Sequence, residues 1–69
     1  MSKVEVLVGI DDAYADKINE IAKQCQAAGM SEVQHMSGVQ MISGAIEKSN
    51  IEKIEAINGV SYVEESQAI

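Results

Sequence analysis

The side chains in this sequence that could do chemistry are few and scattered. There is one cysteine, Cys25, and one histidine, His35. A zinc site wants several ligands, and one His with one Cys at unrelated positions does not supply them. Cys25 falls on the apolar stripe of a helical stretch, with no cation beside it in sequence to lower its pKa. It reads as a core thiol. His35 lies in a polar extended stretch and reads as a solvated side chain. Asp11-Asp12 reads as a helix start, where carboxylates accept from free N–H groups and suit the positive end of the dipole. Glu64-Glu65 reads as a charge pair guarding a sheet edge. Gly9 and Gly38 stand alone as turn glycines, not as a phosphate cradle. Met30, Met36 and Met41 suit either an adaptable contact surface or the gaps of a core, more often the core. No catalytic constellation emerges, and the expectation is a protein without enzyme activity, cofactor or metal.

Composition narrows the partners. The chain has 69 residues and a formal charge of -6, from 5 basic and 11 acidic side chains. A domain of this size buries only about 60% of its unfolded surface, so its core is small. The acidic balance argues against nucleic acid and against an anionic membrane, both of which call for Lys and Arg clusters, and it suits a basic patch on a protein. The two aromatic residues, Tyr14 and Tyr62, are too few for the strand stacking of RNA-binding sheets. A single cysteine forms no internal disulfide. The segment Met1–Glu5 has no apolar leader core, and no run approaches membrane-spanning length, so a cytoplasmic protein is expected.

The elements that must position these residues are easier to read. In Val4–Ile10, Val4, Val6, Val8 and Ile10 alternate with Glu5, Leu7 and Gly9, the period of a strand with one face on a core. Tyr14, Ile18, Ile21, Ala22, Cys25 and Ala28 then recur at helical spacing, predicting a helix over 12–28 closed by Gly29. Ser31–Met36 predicts a second strand and Ser37-Gly38 a turn. Val39–Ile46 predicts a third strand, with Ile42, Gly44 and Ile46 on one face and Met41, Ser43 and Ala45 on the other. Gly44 inside a strand marks a bulge or the close approach of another element, here a helix. Ser49-Asn50-Ile51-Glu52 reads as a capping box, with Ser49 at the N-cap. It opens a short helix whose stripe is Ile51, Ile54 and Ile57. Asn58-Gly59 ends it, and Val60–Glu65 forms the last strand.

The order strand–helix–strand–strand–helix–strand predicts one α+β domain, residues 1–69, with the ferredoxin-like βαββαβ arrangement. Both helices should cover one face of a four-stranded antiparallel sheet whose first and third strands are central. The buried set should be Val6, Val8, Ile18, Ile21, Ile42, Ile46, Ile54 and Val63. The other face stays open and carries Glu5, Leu7, Met41, Ser43 and Ala45. It is the expected partner surface.

At Gly59-Val-Ser-Tyr-Val-Glu-Glu the chain resembles the propeptide domains of subtilisin-type serine proteases and the free inhibitors related to them. The helix Ile51–Asn58 and the opening strand fit the same organisation over nearly the whole chain. The chain is also similar to small stand-alone bacterial proteins that share Val-Leu-Val-Gly-Ile-Asp-Asp, Ala-Gly-Met, Ile-Ser-Gly-Ala-Ile-Glu and Gly-Val-Ser-Tyr-Val-Glu. Some of these are called ketohydroxyglutarate aldolases. A Schiff-base aldolase needs a desolvated lysine in a pocket, whereas Lys3, Lys17, Lys23, Lys48 and Lys53 are expected at the surface.

The propeptide resemblance implies a mechanism. The open sheet face, with Leu7, Met41 and Ser43, would dock on two surface helices of a subtilisin-like serine protease. Glu64 matches the carboxylate that caps those helices, whose first N–H groups are unpaired and positively polarised. The family's second capping acid falls at Ser66, a weaker cap. The tail would enter the substrate cleft and end at Ile69, about three residues short of the family pattern, or about 10 Å of reach. Docking would then outlast blocking of the active site. This implies a protease inhibitor or folding helper. The rival expectation is a small-ligand regulatory module that binds amino acids between paired domains. A homodimer, through the open sheet face or an edge strand, belongs with that reading.

Overall fold

The computed structural model describes residues 3–36 and 38–66. The alternating run at the start of the chain forms strand β1, Lys3–Ile10. A 3-10 turn over Asp12–Lys17 follows, then helix α1, Ile18–Ala27. Strands β2, Ser31–Met36, and β3, Met41–Glu47, come next. A 3-10 turn over Lys48–Asn50 leads into helix α2, Ile51–Glu55, and β4, Val60–Ser66, completes the order. The strands form one antiparallel sheet in the order β2-β3-β1-β4. This is the α+β ferredoxin-like arrangement, with the two most apolar strands in the centre.

The helices pack on the face that the β-branched residues define. Val6, Val8, Ile42 and Ile46 from the sheet meet Ile18, Ile21 and Cys25 from α1 and Ile54 from α2 in one buried cluster. Val63 is half-buried at its edge, packed against the cluster without being enclosed by it. Met30 joins the core, whereas Met36 is 40% exposed. The methionines therefore divide between gap filling and the surface.

Several local expectations are corrected. The stretch predicted as one helix from residue 12 begins as a 3-10 turn. The Asp11 carboxylate accepts from the Ala13 N–H at 3.1 Å, and the Tyr14 N–H donates to the Asp11 carbonyl at 2.8 Å. The regular helix starts only at Ile18, after Lys17 departs from helical geometry at φ -112°, ψ 17°. The far end of α1 follows the expected chemistry. Gly29, at φ 108°, lets its own N–H reach the Gln26 carbonyl at 3.0 Å and the Met30 N–H reach the Cys25 carbonyl at 3.0 Å. This pair of bonds is the Schellman closure, and it delivers Met30 into the core beside Cys25.

The capping box does not form. Ser49 lies inside the 3-10 turn, and the residue before α2 is Asn50, at φ -99°, ψ 0°, with no side-chain cap bond. A capping side chain needs extended backbone to reach back to the first free N–H groups. Here the extended residue is Glu47, at φ -58°, ψ 133°. Strand β3 begins at Met41, two residues later than predicted, and Val39 lies in the turn. Ser37 lies outside the described residues. The close approach to Gly44 comes from a side chain and not from a helix. A Cβ there would stand 2.7 Å from Met30 Cγ and 3.0 Å from the Ser31 carbonyl oxygen.

Candidate functional site

Antiparallel register sets which residues share the helix-free face. Ser43 pairs with both Leu7 and Gln34, and Leu7 pairs with Glu64. Gln34, Ser43, Leu7 and Glu64 thus stand in one row across all four strands. Direct cross-strand neighbours have Cβ atoms about 4.5–5.5 Å apart, so such a row acts as a unit. A second row runs Met36, Met41, Gly9, Tyr62. A third holds Ala45, Glu5 and, by backbone pairing, Ser66. Four predicted contact residues, Leu7, Met41, Ser43 and Glu64, therefore lie on one continuous surface. Ser66 ends the strand beside them, and Ile69 lies outside the described residues.

Burial agrees with this division. Leu7, Met41, Ser43 and Ala45 are half-buried by their neighbours alone, with no helix above them, and Glu64 is exposed. Glu65 alternates to the other face of β4, opposite Val6. The two acids of the Glu64-Glu65 pair thus have separate surroundings.

Sequence reasoning left Met36 open between a contact surface and the core, and it missed Tyr62 and Glu32. Tyr62 is 50% exposed and spreads its ring over Gly9, where an added Cβ would collide with the ring. Gly9 is thus a strand residue, not a turn glycine, and its lack of a side chain lets the aromatic lie flat on the sheet. The period-two spacing of Tyr62 and Glu64 along the last strand was the available signal. Glu32 has no comparable signal. It adopts φ 54°, a left-handed conformation unusual for a residue with a Cβ. It lies where β2 has one residue more than β3, between the pairs Ser31–Ala45 and Gln34–Ser43. Such a bulge re-aims side chains.

The residues with catalytic or metal-binding chemistry are not brought together. Cys25 is fully buried, and desolvation pushes its thiol pKa up, which disfavours the thiolate. His35 is exposed on β2, an edge strand. Among the described residues, no group of three or more His, Cys, Asp or Glu side chains could hold a metal ion. Among the described residues, no helix is long and apolar enough to cross a membrane. Compared with known proteins, the chain matches no family model, no curated protein and no solved structure.

Proposed function

We propose that this protein is a non-enzymatic docking domain that presents its helix-free sheet face to a protein partner, with a subtilisin-like serine protease as the leading candidate. The role would be that of an inhibitor or folding helper. One observation supports this reading above the others. Leu7, Met41 and Ser43 share a continuous surface with Glu64, the carboxylate that the propeptide resemblance assigns to capping a partner's helices. A carboxylate at a helix N-terminus contributes about 0.3–2 kcal/mol, and Glu64 is exposed and ready to do so. Ser66 would add a weaker cap.

The test is a calorimetric titration of one subtilisin with wild type, Glu64→Ala and Glu65→Ala. Wild type should bind, Glu64→Ala should bind more weakly by that amount, and Glu65→Ala should match wild type. If wild type does not bind, and amino acids raise its melting temperature instead, the regulatory-module reading replaces this one.

A further inference from the structure

One part of the open face is distinct in shape and charge. The extra residue in β2 leaves a recess of about 290 Å³, lined by Glu5, Glu32, Gln34 and Ser43 with Leu7 and Ala45. Two carboxylates, an amide and a hydroxyl can meet a positively charged group there, and Leu7 and Ala45 supply apolar surface beside them. Neutralising charge is scarce on this face. Register puts Lys3, Glu5, Glu47 and Glu64 on it, and Glu32 lines its recess. Lys17, Lys23, Lys48 and Lys53 all belong to helices and 3-10 turns. Lys3 already donates through Nζ to Ser31 Oγ at 3.3 Å. Four carboxylates and one ammonium give the face a charge of -3. The other seven carboxylates and four ammonium groups give -3 again, which together make the chain's -6.

We infer that the recess takes the side chain of an arginine or lysine presented by a protein partner, and that the open face fits a partner with a basic surface. This rests on the docking reading and names the partner's chemistry. The apolar stem of a long basic side chain would lie along Leu7 and Ala45, and its head would meet the two carboxylates in charge-assisted hydrogen bonds. A second copy of this chain is a poor occupant. Its open face would set -3 against -3, and its helix-bearing side carries the same net charge, so either pairing brings like charge together.

The experiment is an NMR titration of the isotope-labelled chain with N-acetylarginine amide and, separately, with its neutral analogue N-acetylcitrulline amide. Arginine should give saturable shifts centred on Gln34, Ser43 and Ala45, and citrulline none. In the folded double variant Glu5→Gln/Glu32→Gln, affinity for arginine should fall about tenfold, the loss expected for charge-assisted bonds. Should that variant not fold, the wild-type titration in about 1 M salt, where the Debye length is about 3 Å, should show the same weakening. No saturable shift, an equal response to citrulline, or affinity indifferent to the double variant or to salt would overturn the inference. Arginine binding in the recess without subtilisin binding would leave this inference standing and remove the protease. Subtilisin binding without any arginine response would do the reverse.

Discussion

The two faces of the sheet are made by the same strands and obey opposite rules. On one, Val6, Val8, Ile42 and Ile46 are each no more than 1% exposed beneath the helices. On the other, the residues between them, Glu5, Leu7, Met41, Ser43 and Ala45, mix charge, hydroxyl and apolar groups with no helix above them. The first face supplies the hydrophobic free energy that a small chain needs. The second contributes little burial within the chain itself, so its composition is free to serve contact with something else. The contrast teaches that stability and the proposed recognition are separated here by a one-residue alternation. Substitutions should therefore sort by the face they touch.

The largest effect belongs to the covered face. Ile54, fully buried, is the one enclosed residue of α2, and Ile54→Ala should cost about 2–5 kcal/mol in denaturant unfolding, through lost burial and the cavity left behind. In a domain this small that loss can remove most of the stability. Next comes Gly44→Ala, also on that face. The added methyl would press on Met30 and the Ser31 carbonyl, and overpacking of this kind costs about 1–3 kcal/mol. The same assay checks it. If either substitution proved silent while one at Leu7 unfolded the chain, the assignment of the faces would be inverted.

A smaller effect concerns pH. Burial raises the pKa of Cys25, so the folded state holds its thiol proton where an unfolded chain releases it. The sign follows. The difference is absent below the ordinary thiol value of 9.0, and stability should fall as pH rises beyond it. A Cys25→Ala variant, measured against its own baseline, should lose that alkaline slope. The smallest effect is that of Ser49→Ala, which should lie within about 0.5 kcal/mol of wild type, because Ser49 caps nothing. A loss of about 1 kcal/mol would restore the capping box.

The chemistry of these residues also explains what could be read from sequence. The alternation of β-branched residues in β1 and the stripe Ile18, Ile21, Cys25 of α1 are long-range statements about a core. They located both central strands and the helix-covered face. The box Ser49–Glu52 is a local pattern that helical turns also tolerate, and the 3-10 turn at Lys48–Asn50 moved the start of the helical segment to Glu47. Leu7, Met41, Ser43 and Glu64 were legible as a surface because alternation fixes which side of the sheet each takes. The bulge at Glu32 was not legible. Ser31–Met36 has little apolar alternation, so its register is weakly specified by sequence and is decided by what packs around it. Period-two spacing with Glu64 was enough to put Tyr62 on the open face, but its seat over Gly9 follows from the pairing of β4 with β1, which no local signal carries.

The central claim is that the helix-free face is the one that docks. The most direct measurement is methyl cross-saturation from an inactivated subtilisin to the methyl-labelled chain, read at individual side chains. The account predicts intensity loss at Leu7, Met41, Ala45 and Met36, and none at Val8, Ile42, Ile46 or Ile54. Loss centred on Ile51, Ile57 and Ala22, which lie on the helix-bearing side, would contradict it.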